Sequence, residues 1–234
     1  MPDETTTSRV TGGSLRLAVL LTLAGGFLDA FTFVGHGGVF ANAQTGNVVL
    51  LGVEAAAGRW SAAVRHVPAL LAYVAGVATA ETMMNPRFAG VFRRPARAAL
   101  VAEIAALLGI GAIPAKVGSS AVVLLVAYVA AVQSSTFVRL RRWPFSSVIT
   151  TGNLRTATRA AYHAVLLKEP AAEEARCFAA ICFAFFAGAF LGALATYRFG
   201  NSAAWIAAAL LAAALSLFAL DETWVGRRRP VSMG

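Results

Sequence analysis

Apolar runs that approach or exceed 18 residues recur along this 234-residue chain, and they decide what it can fold into. A helical run of that length crosses a hydrocarbon layer of roughly 30 Å. A helix also bonds its own backbone polar groups where no water is present to do so. Composition agrees with this reading. Hydrophobic residues make up 58% of the chain and charged residues 13%, against about 25% charged in soluble domains. In a soluble domain the net charge of +9 would point to nucleic acid. Here the basic residues gather between apolar runs, as membrane topology requires, so no nucleic-acid partner is expected.

Six spans are predicted. The first runs from Leu15 to Val34 and holds Gly25-Gly26 and Asp29. The second runs from Val64 to Met84 with Pro68, Gly76 and Glu81, and Asn85-Pro86 stops it, since proline cannot continue a helix ladder. The third (Ala98 to Ala115) contains Glu103, and the fourth (Ser119 to Val138) contains Gln133, Ser134 and Ser135. The fifth covers Ala175 to Tyr197, after a polar linker at Pro170–Glu174, and the sixth covers Ala203 to Leu220. Residues 1–13 read as a disordered polar tail, residues 14–234 as a single transmembrane domain, and residues 221–234 as its basic tail. Sixteen Lys and Arg residues fall on one side of the predicted membrane, including the clusters at 87–97 and 139–176, and four fall on the other: Arg59, Arg65, Lys116 and Arg198. That split places both termini in the cytoplasm.

Two polar breaks interrupt this pattern. Ala41-Asn42-Ala43-Gln44-Thr45-Gly46-Asn47 is echoed 106 residues later by Val148-Ile149-Thr150-Thr151-Gly152-Asn153. Each Thr-Gly-Asn triplet opens a segment too short to span, suited to a short or re-entrant helix. Aligning the triplets gives halves of about 14–115 and 119–220, each with span, loop, triplet helix, span and span. Three spans per half invert the second half relative to the first. The expected fold is therefore all-α: six spans as a 3+3 inverted repeat, a plan in which discontinuous helices meet near the midplane.

The triplet chemistry suits a binding site. Thr45 and Thr151 are expected to cap their helices, Gly46 and Gly152 to admit a close approach, and Asn47 and Asn153 to present amide donors and acceptors off the first turn. Helix N-termini favour anionic or carbonyl-bearing solutes. Asp29 lies within the first span, where a carboxylate marks a proton relay, a solute ligand or a buried pair; the alternative is a structural hydrogen bond to the first break. Gln133 is the polar group nearest the second break. Glu81 and Glu103 are expected to snorkel or to pair with nearby arginines, and His36 to be solvated among Gly35, Gly37 and Gly38.

The segment from Leu154 to Leu167 is amphipathic. Arg155, Arg159 and Tyr162 lie on one face, where lipid phosphates would bind, with Ala157, Ala161, Val165 and Leu166 on the other. Gly188-x-x-x-Gly192 and Gly76-x-x-x-Ala80 read as helix-packing faces. Cys177 and Cys182 are five residues apart and do not share a helix face, which speaks for buried thiols. No nucleophile–base constellation, cofactor motif or metal-ligand spacing is present, so no enzyme, cofactor or metal is expected.

The motifs Gly26-Phe27-Leu28-Asp29-Ala30, Gly38-Val39-Phe40 and Thr45-Gly46-Asn47 with Gly52, followed by Gln133, Arg139 and Thr150-Thr151-Gly152-Asn153-Leu154, resemble the bacterial YoaK family of multi-span membrane proteins. The resemblance covers about Leu15 to Leu220, with Arg141-Arg142 an unusually basic departure. It implies an integral protein of the bacterial cytoplasmic (inner) membrane and carries no substrate or catalytic residues. Function then rests on the breaks. The leading expectation is a transporter or channel for a small polar or anionic solute held by Asp29, Thr45, Gly46, Asn47, Gln133, Thr151, Gly152 and Asn153. The alternative is a non-transporting membrane scaffold or accessory subunit. Expected partners are membrane lipids and an unknown small solute, with oligomerisation left open.

Overall fold

A computed structural model describes residues 13–114 and 119–227, so residues 1–12 of the predicted N-terminal tail, Lys116 and residues 228–234 of the predicted basic tail lie outside the described residues. Ser14 starts the first helix, α1 (Leu15–Gly35), by accepting the N–H of Leu17 at 3.2 Å, which satisfies one donor of the first turn. Gly13 is no free tail, because its carbonyl accepts the N–H of Arg141 at 2.8 Å. Gly37 and Gly38, at φ +82° and +74°, turn the chain after α1. The first triplet then lies in the opening turn of α2 (Gln44–Ala56). A short α3 (Trp60–Val64) leads into α4 (Val67–Met84). Pro68 sits in the first turn of α4, where its missing N–H costs no ladder bond. The same placement of Pro95 opens α5 (Pro95–Ala112).

The second part begins with α6 (Ser119–Thr136). A two-stranded antiparallel hairpin that the sequence pattern does not signal follows, with β1 (Arg139–Leu140) paired to β2 (Trp143–Pro144). Its tight reversal holds Arg141 at φ +53°. The second triplet opens α7 (Thr150–Val165). The helix α8 (Ala172–Phe199) has Glu173 and Glu174 in its first turn and Arg198 in its last, the charge order that a helix dipole favours. It therefore begins inside the predicted polar linker. A 3-10 turn at Gly200–Ala203 passes into α9 (Ala204–Arg227). α9 continues seven residues past the predicted span end at Leu220, because no glycine or proline interrupts it before Gly226.

Five helical stretches are long and apolar enough to cross a membrane, the last of them, Ala172–Leu220, comprising α8 and most of α9. The chain is consistent with an integral membrane protein. α1 is the buried centre, with Leu17, Leu21, Phe27, Leu28 and Phe31 each at most 1% exposed. It packs on α8 at backbone distance: a Cβ on Gly26 would lie 2.2 Å from the Phe185 carbonyl oxygen, and Cβ atoms on Gly188 and Gly192 would lie 2.0 and 2.4 Å from the Leu23 and Phe27 carbonyl oxygens. α4 meets α6 in the same manner, since a Cβ on Gly76 would lie 2.5 Å from the Tyr128 carbonyl oxygen. The small-residue rows are thus packing faces. α1 also touches α9 and α6, while α5 touches α6 and α9. Asn201, Ser202 and Trp205 donate to the carbonyls of Ile113, Gly111 and Leu108, tying the α8–α9 turn to the end of α5.

Candidate functional site

The first break is bound by its own triplet. Asn47 Oδ1 accepts the N–H of Phe40 at 3.0 Å, while Asn47 Nδ2 donates to the Phe40 carbonyl at 2.8 Å and to Gln44 Oε1 at 2.9 Å. Gln44 in turn donates to the Ala41 carbonyl at 2.7 Å. The amide side chain thus replaces the strand or helix neighbour that the loop lacks, which is how a buried non-helical backbone avoids unmade bonds. His66 Nδ1 lies 3.3 Å from Asn47 Oδ1.

α1 holds the same break from the other side. Asp29 Oδ1 accepts the N–H groups of Asn42 at 2.7 Å and Ala43 at 3.3 Å. Thr32 Oγ1 accepts the N–H of Ala41 at 3.0 Å and donates to the Leu28 carbonyl at 3.1 Å. Asn42 Nδ2 reaches the Gly25 carbonyl at 3.3 Å. Residues 41 to 43 are therefore docked along about two turns of α1, from Gly25 to Thr32.

The second break repeats the amide clamp at the same spacing. Asn153 Nδ2 donates to the Ser146 carbonyl at 2.7 Å, and Asn153 Oδ1 accepts the Ser146 N–H at a longer 3.5 Å. In both copies the Asn reaches back seven residues. Ser147 Oγ donates to Gln133 Oε1 at 3.5 Å. The Ser147 carbonyl also lies against the middle of α1, 2.6 Å from where a Gly25 Cβ would stand.

Several expected roles change. Neither Thr45 nor Thr151 caps its helix: α2 and α7 have no side-chain cap, and both threonines are exposed. Asn47 and Asn153 are buried and turned back on their own loops instead of off the first turn. Gly46 admits the Phe40 ring, whose atoms would stand 3.0 Å from an added Cβ, whereas Gly152 has nothing within 4 Å. The difference has a simple cause, because Phe40 is replaced by the small Ser146 in the second copy.

His36 is buried at 3% exposure instead of solvated, edge-on to Phe31, and this burial holds its pKa below the usual imidazole value. Glu103 is buried at 1% with Oε2 lacking a hydrogen-bond partner, so it does not snorkel. On α7 the buried face is Asn153, Ala157 and Ala160, while Val165 and Leu166 are exposed. Cys177 and Cys182 are free thiols.

Asp29 and Asn47 therefore meet at the first break, Gln133 and Asn153 flank the second, and Thr45, Thr151 and Gly152 face outward. Thr32, Asn42, Ser147 and Gly25 were not singled out as site residues. The Gly25-Gly26 pair inside a long apolar helix was the available signal, since glycine there marks a close backbone approach. Described residues line a surface groove and a smaller cavity. A groove of about 550 Å³ on α7 is lined by Thr151, Leu154, Arg155, Thr158, Arg159, Tyr162 and His163. A cavity of about 180 Å³ lies at His36, Arg65, Pro68 and Ser119.

A family model described as "Protein of unknown function (DUF1275)" matches residues 17–217. No curated protein and no solved structure matches the chain.

Proposed function

The chain belongs to the DUF1275 family of proteins of unknown function, whose match runs from α1 into α9, and from that premise we propose a non-enzymatic membrane transporter or channel for a small polar or anionic solute. In this reading α1, α4, α5, α6, α8 and α9 are six spans of a 3+3 inverted repeat. Both termini lie in the cytoplasm, and the membrane is the bacterial inner membrane that the YoaK resemblance implies. The pairing of helices supports the repeat. Moving along the chain by one half carries α1 to α6, α4 to α8 and α5 to α9, so the α1–α8 contact has its counterpart in α6–α4, and α1–α9 in α6–α5.

The observation that carries the proposal is the meeting of both breaks at Gly25, the middle residue of α1: Asn42 donates to its carbonyl, and the Ser147 carbonyl abuts its Cα face. Uncapped helix starts at Gln44 and Thr150 leave backbone N–H groups and a partial positive charge for an anion or a carbonyl oxygen. Proteoliposome uptake, screened over carboxylates, phosphates and neutral polar solutes, tests this. At least one solute should be taken up, and Asp29→Asn or Asn153→Ala should reduce its uptake tenfold or more. Unchanged uptake in both variants would remove the breaks from the pathway.

A second reading, a membrane scaffold, is favoured by two observations. The triplet amides are consumed by their own loops, and neither cavity is lined by Asp29, Asn47, Gln133 or Asn153. It predicts no uptake for any solute, and a Ser147→Cys thiol closed to reagents from both sides of the bilayer.

A further inference from the structure

His36 ends α1 with both ring nitrogens buried and without a hydrogen-bond partner. A buried polar group left unpaired is a cost that water or a ligand relieves. The ring has room for either, because it lines the cavity of about 180 Å³ beside Val39 and Val123, each 2% exposed. Pro68, in the first turn of α4, adds a further apolar wall. The exposed part of the lining is polar and basic. Arg65 donates through Nη1 to the Gly37 carbonyl at 3.2 Å, which holds its guanidinium one residue from His36. That bond uses one of five donors. Ser119 and Ser120, at the described start of α6, line the same cavity, and a helix start adds partial positive charge. Among the described residues no carboxylate lines the cavity. Glu54, on which the Arg65 charge also acts, is paired with Arg59.

We propose that this cavity binds a small monocarboxylate, its carboxylate held by Arg65 and the His36 N–H and its short apolar body against Val39, Pro68 and Val123. The lining selects the class. Arg65 and the α6 start repel a cation. A guanidinium fork matches the two oxygens of a carboxylate. A neutral imidazole has one N–H and places it on whichever nitrogen meets an acceptor. Apolar walls with few polar groups suit an organic body, whereas an ion of higher charge would lose more hydration than one arginine returns. Val39 precedes Phe40, whose backbone the Asn47 amide clamps, so the cavity adjoins the first break. As the entry point for a transported solute the site rests on the transport reading above; as a binding site it stands without it.

The test uses the full chain in detergent micelles at constant pH and ionic strength, with propionate as the probe and neutral propionamide, of the same shape, as the control. Radiolabelled propionate should bind saturably at about one molecule per chain. It should also raise the unfolding temperature by several degrees, because a ligand of the folded state alone stabilises it by mass action. Propionamide should do neither. Arg65→Gln keeps a donor for the Gly37 carbonyl and loses the charge, and should weaken binding about tenfold or more. His36→Phe keeps a ring against Phe31 and removes both nitrogens. It should unfold without ligand at the wild-type temperature or above, and also bind about tenfold more weakly. Absence of saturable propionate binding would overturn the site, as would binding unaffected by Arg65→Gln or by His36→Phe. An equal thermal shift with propionamide would mark a merely apolar pocket, and an equal shift with chloride or phosphate a site that reads charge alone; either overturns the monocarboxylate assignment. Propionate binding without uptake of any solute leaves the site standing and removes transport; solute uptake without propionate binding does the reverse.

Discussion

The two breaks share one backbone device and differ in how firmly it is held. In the first, the Asn47 clamp is backed by Gln44, Thr32, Asp29 and Asn42, so residues 40 to 44 are tied to both α1 and α2. In the second, the Asn153 clamp has one long arm, and the link from Ser147 to Gln133 is 3.5 Å. Each break leaves two buried side-chain atoms without partners, Asp29 Oδ2 and Asn42 Oδ1 in the first and Gln133 Nε2 and Thr150 Oγ1 in the second, so that cost is shared. The bond lengths make the difference, because a hydrogen bond at 3.5 Å contributes little. The first break is thus the fixed reference and the second the adjustable one, although both derive from the same triplet.

The sharpest way to break this comparison is to remove each amide clamp. Asn47→Ala leaves the Phe40 N–H and carbonyl without their partner and should destabilise by about 3 kcal/mol, whereas Asn153→Ala should cost about 1 kcal/mol. Equal losses in reversible unfolding would mean that the two breaks are equally anchored. Gly25→Ala comes next, because its Cβ meets the Ser147 backbone; overpacking of this kind costs about 2 kcal/mol. Amide hydrogen exchange should then quicken at 146–150 and stay slow at 41–43, and the opposite pattern would move the adjustable role to the first break.

Thr32→Val removes the acceptor for the Ala41 N–H and should cost about 1 kcal/mol, read as a lower unfolding temperature with unchanged exchange at 146–150. The smallest effect has a sign to check. Gly152→Ala fills open space on a helix and should be stabilising by up to about 1 kcal/mol. Gly46→Ala should gain nothing, since the Phe40 ring must give way.

Much of the long-range order was legible from apolar runs and small residues. The runs predict the long helices to within a few residues where Ser14, Pro86 or the Gly37-Gly38 turn punctuates them. Where punctuation is missing, as beyond Leu220, the helix overran its predicted end. The packing of Gly188 and Gly192 was legible because small residues four apart in an apolar helix have few other uses. The placement of the triplet's side chains is only partly legible from spacing. Thr and Asn at a helix start have two outlets for their polar groups, the helix behind or the loop ahead, and spacing does not choose between them. Tertiary contact chose the loop for Asn47 and left Thr45 outside. His36 shows the same limit: its glycine neighbours suggest exposure, but the ring packs on Phe31 one turn and more back along α1. The short hairpin at 139–144 escaped notice because two-residue strands have no periodicity to read.

The glycine contacts have a consequence for how the chain is assembled. Each of the two closest helix contacts, α1 on α8 and α4 on α6, joins a helix from before residue 115 to one from after residue 118. The first half of the polypeptide therefore leaves the ribosome with its tightest seams still open, Gly26 and Gly76 facing neighbours not yet made. Insertion of the early helices has to precede their tertiary closure, and the completed molecule is interlaced, so that neither stretch has a finished interior of its own.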